Sequence, residues 1–281
     1  TPIFVDILDS TFNIDPTKLE IALSECKSRG GLISKAIIPV DIFGLPADYE
    51  LIEEIGNKFN LCIIEDAAQS FGGKIKNRKT GSLGDIGTTS FFPAKPLGCY
   101  GDGGAIFTND QEISEILISI RNHGQGKSKF NNIRIGLNGR LDTIQAAILL
   151  EKMNIFPEEL HLRNAIAKKY TNNLNEYFTC QHVPDGYESA WAQFSILALN
   201  SKERSICMKK LKDSGIPTAI YYPKPLHLQE AFCNLDYALG DFPVSESISQ
   251  RIFSLPMHPY LTDDNINKIC EIIISCKELE E

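Results

Sequence analysis

The sequence contains no apolar run long enough to cross a membrane. Its continuous apolar stretches, such as residues 61–64, extend over only a few residues, whereas a spanning helix needs about 20. The first ten residues also lack the charged start and the long apolar region of a secretory signal. Basic residues are in deficit, with 28 Lys and Arg against 36 Asp and Glu. This balance disfavours nucleic-acid and membrane-surface partners, because no basic excess is available to meet phosphate groups.

The eight cysteines form no CxxC pair, and the five histidines show no metal-ligand spacing. Several cysteines lie within apolar runs, which is typical of free thiols in a reducing compartment. We therefore predict a cytoplasmic protein without disulfide bonds and without a metal site. What the sequence does contain is globular composition, with 43% hydrophobic and 23% charged residues among 281. A chain of this size can bury a substantial core.

Strand-like and helix-like segments alternate in the first half of the chain. Strands are predicted at residues 3–7, 35–40, 61–65, 87–92 and 104–108, and helices at 15–28, 47–58 and 111–121. Nearly continuous apolar strands that alternate with helices are typical of a mostly parallel sheet with helices on both faces, which is an α/β fold.

The pattern changes beyond residue 140. It predicts two long helices at 142–153 and 157–177, a strand at 193–199, a helix at 202–213 and a final helix at 263–279. We place a domain boundary near residue 155. The chain would then consist of a large domain, residues 1–155, and a smaller α+β C-terminal domain, residues 156–281.

Asp66 follows a buried strand directly. A carboxylate at the carboxyl end of a parallel strand points into the crevice where open α/β sheets bind ligands. Asp is also a favoured capping residue, so Asp66 could instead cap the turn that follows. The sequence leaves these two interpretations open.

Lys95 lies in a constrained loop after the next strand. Prolines at 93 and 96 keep it out of a helix, and glycines follow at 98, 101, 103 and 104. Glycines allow backbone N–H groups to approach a ligand closely. A lone lysine on a tight turn is usually solvated, but the apolar strand before it favours a desolvated lysine, which can act as a neutral nucleophile.

These residues belong to longer motifs that resemble one family. The motifs are EDAAQ (65–69), TSFFPAK (89–95), GDGGA (101–105), RNHGQ (121–125), GLNGRLD (136–142), QAA (145–147) and SLPMHP (254–259). They run through the whole chain in the order found in the DegT/DnrJ/StrS family of sugar aminotransferases. The resemblance implies pyridoxal 5'-phosphate (PLP) as the cofactor and the PLP-dependent transferase fold of the aspartate-aminotransferase type.

The resemblance also implies a role for each matching residue. Lys95 would form the Schiff base with PLP and then move a proton between substrate and cofactor. Asp66 would pair with the protonated pyridine nitrogen, and Gln69 would bind near the ring hydroxyl. Ser90 would donate to the phosphate, and Asn138 would reach the phosphate of the other subunit in a homodimer.

The beginning of the chain differs from the family pattern. In the family, the motif similar to residues 3–7 lies well inside the protein. Ahead of it we expect a Gly-Thr pair whose backbone binds the PLP phosphate, and an aromatic stretch that covers the ring. Because the chain starts after both, we predict that it binds PLP more weakly than a version extended at its N-terminus.

The resemblance implies a nucleotide-sugar acceptor and, as the usual amino donor, glutamate. The loop at residues 91–105 is closer to members that act on 3-keto sugars, linked to UDP or dTDP, than to those that act on 4-keto sugars. Candidate substrate contacts, each of which could instead pack in the smaller domain, are Tyr221, Tyr222, His227 and His258. Candidates for the diphosphate, which could instead form a solvated basic loop, are Lys127, Lys129 and Arg134.

Two other functions compete with this hypothesis. A degenerate family member would bind PLP or sugar without turnover, and an incomplete N-terminus favours it. A dehydratase of the same family usually has His in place of the lysine, so the retained Lys95 argues against that function and against a degenerate site.

Overall fold

The computed structural model describes residues 1–29, 31–128 and 130–277. In the first half of the chain, the elements are α1 (Pro16–Arg29), β1 (Ala36–Ile37), α2 (Tyr49–Phe59), β2 (Cys62–Asp66), β3 (Lys74–Ile75), β4 (Arg78–Lys79), β5 (Ile86–Ser90), β6 (Gly104–Phe107) and α3 (Gln111–Arg121). The second half contains α4 (Thr143–Leu174), β7 (Thr179–Cys180), β8 (Tyr187–Glu188), β9 (Phe194–Leu197), α5 (Ser201–Asp213), α6 (Pro243–Arg251), β10 (Ile252–Leu255) and α7 (Asp263–Ile274). None of the helices within these described ranges has the length and apolar character needed to cross a membrane.

A four-stranded sheet in the order β1-β2-β5-β6 forms the centre of the first half. Strands β1, β2 and β5 run parallel, and β6 is antiparallel to β5. The prediction of a mostly parallel sheet in an α/β fold is confirmed. Because β2 and β5 are neighbours in register, Asp66 at the end of β2 lies beside Thr88 of β5. The second half contributes a separate antiparallel sheet in the order β10-β9-β7.

Polar caps start several helices where the sequence predicts them. Asp15 accepts a hydrogen bond from the backbone N–H of Thr17 at 2.8 Å, and Thr262 accepts from that of Asn265. Such caps satisfy backbone donors that have no partner inside the helix. The final helix ends at Ile274 rather than at the predicted residue 279, and residues 278–281 lie outside the described ranges. All eight cysteines are free thiols, as predicted.

The strand predicted at residues 3–7 is wrong. This segment contributes only an isolated bridge between Ile7 and Ile14. Asp6 instead accepts hydrogen bonds from the backbone N–H groups of Val244 and Ser245, the first residues of α6 after its proline. The segment therefore caps a distant helix, and alternating apolar residues cannot distinguish that role from a place in a sheet.

The two helices predicted at 142–153 and 157–177 form one helix, α4, of 32 residues with Pro157 inside it. A proline removes one helical hydrogen bond, at a cost of roughly 3 kcal/mol. Packing offsets this loss, since Phe156 is 7% exposed and its ring stacks on Phe71 at 6.0 Å. The domain boundary near residue 155 falls within this helix and stays a prediction.

Helix α4 contributes to two hydrophobic clusters. Its first half packs with the residues around the lysine loop, in a cluster that contains Phe91, Leu97, Cys99, Leu149 and Phe156. Its second half packs against β9, β10, α5 and α7, in a cluster that includes Ile166, Tyr170 and Leu174. The same helix therefore supports the candidate site and the core of the C-terminal half.

Candidate active site

Asp66 is the last residue of β2 and is partly buried. Its Oδ1 atom accepts a hydrogen bond from the backbone N–H of Ala68 at 3.0 Å, so Asp66 does cap the turn that follows. The second carboxylate oxygen remains for a ligand, since no protein donor to it is found in the described part of the chain. The capping and ligand-binding interpretations are therefore compatible.

Lys95 follows β5 on a turn in which its backbone N–H donates to the carbonyl of Phe92 at 2.9 Å. Burial lowers the pKa of the Lys95 amine, and the negative charge of Asp66 partly opposes that change. The structure thus brings the amine and the carboxylate into the same site at the carboxyl ends of β2 and β5. A lowered pKa increases the fraction of neutral amine, which is the nucleophilic form.

The backbone of the lysine loop requires glycine at two positions. A Cβ atom on Gly98 would lie 2.7 Å from the carbonyl oxygens of Phe92 and Pro93, and one on Gly104 would lie 2.7 Å from that of Thr89. Real Cβ atoms do not approach oxygens so closely. The Nζ atom of Lys152, on α4, donates to the carbonyl of Gly98 at 2.6 Å. The close packing at the two glycines and the hydrogen bond from Lys152 therefore both fix the position of the loop.

Gln69 and Ser90 present donors beside this pair. The Oε1 atom of Gln69 accepts from the backbone N–H of Phe43 at 2.6 Å, and its Nε2 donates to the hydroxyl of Tyr222 at 3.3 Å. Ser90 ends β5, and its Oγ accepts from the backbone N–H of Phe92 at 3.2 Å. The Ser90 hydroxyl proton is therefore left to donate to a ligand.

Two buried carboxyl groups lie behind the strand ends, and our sequence analysis missed both. Asp41 is completely buried and accepts from the backbone N–H of Ala47 and the hydroxyls of Tyr49 and Ser70. Burial, and then the negative charge of Glu65, raise the pKa of Asp41 well above its usual value. The sequence does contain a signal for Asp41, because this residue directly follows a mostly apolar run, as Asp66 does.

Glu65 is the second of these groups. It is also completely buried, and it accepts from the backbone N–H groups of Gly81 and Leu83 at 2.6 and 2.8 Å. Burial raises the pKa of Glu65, although these hydrogen bonds oppose the effect. Glu65 thereby ties the loop before β5 to β2.

The predicted substrate contacts are distributed unevenly. Tyr222 is 52% exposed and contacts the site through Gln69, whereas the ring of the adjacent Tyr221 packs with the cluster around Phe12 and Phe43. His227 is only 5% exposed, and its Nε2 lies 2.9 Å from Oε1 of Glu246. The structure does not bring His227 to Asp66 or Lys95, and its role as a contact stays a prediction.

His258 lies on an exposed part of the SLPMHP loop. Its Nδ1 accepts from the backbone N–H of Tyr260 at 3.3 Å, which leaves the hydrogen of the neutral ring on Nε2. Partial burial and the positive charge of Arg163 lower the pKa of His258, which favours the neutral ring that can donate from Nε2. No contact to Lys95 is present in the described part of the chain.

Asn138 lies in an exposed segment, residues 131–140, where its backbone pairs with that of Asn122. No hydrogen bond links its side chain to Asp66, Gln69 or Lys95 within the described chain. Lys127 and Arg134 are exposed on the same loop, and Lys129 lies outside the described residues.

The donor set of the site suits PLP. Lys95 offers an amine for an aldehyde, Asp66 offers a carboxylate for a pyridinium nitrogen, and Ser90 and Gln69 offer donors to oxygen atoms. A metal site is not apparent, since the described residues contain no cluster of three or more His, Cys, Asp or Glu side chains placed to hold an ion.

Comparisons with known proteins agree with this donor set. The UDP-2-acetamido-2-deoxy-3-oxo-D-glucuronate aminotransferase of Pseudomonas aeruginosa is 43% identical over 270 residues, covering 96% of this chain and 71% of that protein. A pleiotropic regulatory protein of Geobacillus stearothermophilus is 41% identical, over 97% of this chain and 71% of its own length. Further relatives are named as transaminases of UDP- or dTDP-linked sugars.

The fold comparison gives the same result. A DegT DnrJ EryC1 StrS aminotransferase from Brucella abortus superimposes with a TM-score of 0.94 at 49% identity, covering 98% of this chain and 73% of that one. The model of the DegT/DnrJ/EryC1/StrS aminotransferase family matches residues 1–274. The chain therefore belongs to the DegT/DnrJ/EryC1/StrS aminotransferase family.

Proposed function

We propose that this chain is a PLP-dependent aminotransferase that moves an amino group from glutamate to a keto nucleotide sugar. The observation that carries the proposal is the placement of a partly desolvated Lys95 within the electrostatic reach of Asp66. We expect the reaction to serve surface-glycan biosynthesis in the cytoplasm, where nucleotide sugars and reduced thiols coexist. Addition of glutamate to the PLP-loaded protein tests the proposal, because a transaminase changes the absorbance of its cofactor when it accepts the amino group.

Each residue of the site has a separate role in binding the cofactor or in proton transfer. Bound PLP supplies an electron sink for the carbon that loses its proton. Asp66 keeps a proton on the pyridine nitrogen, and Lys95 holds the cofactor and afterwards carries the proton to and from the reacting carbon. Gln69 donates to the ring oxygen, and Ser90 donates to the phosphate.

A role in binding without turnover is the alternative, and two relatives have regulatory or sensory names that point to it. The retained Lys95 and the relatives named as aminotransferases argue against it. An unchanged spectrum after glutamate addition, with PLP demonstrably bound, would favour this alternative.

We expect a homodimer in which Asn138 reaches the cofactor of the other subunit. The segment before α4 and the first turn of α4 expose large apolar side chains, with Ile135 97% and Ile144 74% exposed, and burial of such side chains stabilises an interface by about 1.5–3 kcal/mol each. The double variant Ile135→Asp, Ile144→Asp should therefore raise the dimer dissociation constant at least about a hundredfold in sedimentation experiments.

The matched control for this variant is Ile33→Asp. Ile33 is 80% exposed but lies between α1 and β1, away from the apolar segment, so this variant should remain dimeric. A monomeric wild-type protein that still binds PLP tightly would contradict both the dimer and the role of Asn138.

We expect the acceptor to be a 3-keto sugar linked to UDP or dTDP. The residues on either side of Lys95 determine how the sugar carbon meets the cofactor, and a shift of about 1 Å can cost a hundredfold in rate. With glutamate as donor, a 3-keto nucleotide sugar should therefore be aminated at least about tenfold faster than its 4-keto isomer. Amination of the 4-keto compound alone would refute this preference and leave the family membership unchanged.

Six further side chains complete the proposed substrate site. The sugar contacts would be Tyr221, Tyr222, His227 and His258. Lys127 and Arg134 are exposed near Asn138 in the sequence and would meet the diphosphate.

A further inference from the structure

Tyr222 joins a surface segment to the wall of the site. Its hydroxyl oxygen lies 3.3 Å from Nε2 of Gln69, a residue 153 positions away in the sequence. Gln69 is buried, with 6% of its surface exposed, whereas Tyr222 is 52% exposed. Tyr222 therefore lies on the solvent side of Gln69, whose own side chain is almost completely buried.

The orientation of the Gln69 amide is determined by its other partner. The backbone N–H of Phe43 donates to Oε1 at 2.6 Å, and a flipped amide would place two donors against each other. The NH₂ group must therefore face Tyr222. One of its two hydrogens meets the tyrosine hydroxyl, and the other has no protein acceptor in the part of the chain that the structure describes.

We propose that Tyr222 is a positioning residue that acts through Gln69. By accepting one N–H of the Gln69 amide, Tyr222 aims the remaining N–H at the ring oxygen of PLP. This inference rests on the proposed function, since it requires PLP in the site. If Tyr222 contacted only the sugar, its replacement would not affect the bound cofactor when no substrate is present. A positioning role predicts that the replacement changes the protonation of the bound cofactor even without substrate.

The expected effect follows from the chemistry of the ring oxygen. An N–H that donates to this oxygen withdraws electron density from it. The oxygen then attracts the proton on the nitrogen between PLP and Lys95 less strongly, so that proton is lost at a lower pH. When the amide loses its second anchor, the donation weakens and the proton should be retained to a higher pH.

The test is a spectrophotometric pH titration of the PLP-loaded protein. In Tyr222→Phe the midpoint should rise by roughly half a pH unit or more, since a neutral hydrogen bond of this kind contributes about 0.5–1.5 kcal/mol. The matched control is Tyr237→Phe, because the Tyr237 hydroxyl also accepts one hydrogen bond of 3.3 Å, from the backbone of Phe4. The control should leave the midpoint unchanged.

A second arm separates an indirect effect from a direct one. If Tyr222 acts only through Gln69, then Tyr222→Phe should cause no further shift in a Gln69→Ala background. An equal shift in both backgrounds, or a raised KM for the sugar with an unchanged midpoint, would overturn the positioning role. A wild-type protein that shows no absorbance of lysine-bound PLP would refute the proposed function itself, and this inference with it.

Discussion

Replacement of Lys95 by alanine is expected to lower kcat for transamination by about 10²–10⁴-fold. This range is typical of the loss of a positioned group that transfers a proton in the transition state. Borohydride reduction of the PLP-loaded wild-type protein, followed by peptide mapping, should label Lys95. Because burial lowers the pKa of this amine, the cofactor should attach at a pH below that required by an ordinary lysine.

The control for this experiment is Lys58→Ala. The Lys58 side chain is 63% exposed and forms an ion pair with Glu20 on the surface, so its removal should leave kcat unchanged. Labelling of another lysine, with none at Lys95, would refute the assignment.

Replacement of Asp66 by asparagine should lower the rate of transamination at least tenfold. Asparagine can still accept the hydrogen bond from the N–H of Ala68, so the turn is retained and only the charge is removed. A hydrogen bond to a charged group contributes about 1.5–3 kcal/mol, which corresponds to a factor of roughly 10 to 150 in rate. The measurement is kcat with glutamate and a keto nucleotide sugar.

Two observations make this experiment specific. The charge of Asp66 raises the pKa of Lys95, so its removal lowers that pKa further and should not hinder attachment of the cofactor. Asp85→Asn is the matched control, because Asp85 accepts a backbone N–H from Ile63 at 2.8 Å but lies before β5, at the opposite end of the sheet. Unchanged turnover in Asp66→Asn would refute the proposed role.

The sequence predicted those parts of the site that depend on local order along the chain. Asp66 and the loop of Lys95 follow two strands, and parallel neighbours in one sheet bring their carboxyl ends together. The contacts that hold Gln69 and Asp41 could not be found in this way. They join Gln69 to Tyr222 and Asp41 to Ser70, and such pairs are set only when distant segments pack against each other.

Predictions from local sequence patterns were also wrong at two places where contacts with distant residues determine the structure. A proline usually ends a helix, because it lacks a backbone N–H. At Pro157 the helix continues, because the neighbouring Phe156 is buried against Phe71. Residues 3–7 have the alternation of a strand, but the carboxylate of Asp6 binds the first backbone N–H groups of α6. In both cases the deciding partner lies far away in the sequence.

Helix α4 has a consequence for the order in which the protein can fold during synthesis. The cluster beneath the lysine loop includes Phe91 and Leu97, but it is completed only by Leu149 and Phe156. A ribosome must therefore add more than fifty residues after the loop before that loop can be enclosed. Until then, the glycine-rich segment and its apolar neighbours remain open to solvent and to chaperones. The lysine loop is therefore synthesised well before it can become rigid, because its enclosure waits for the first half of α4.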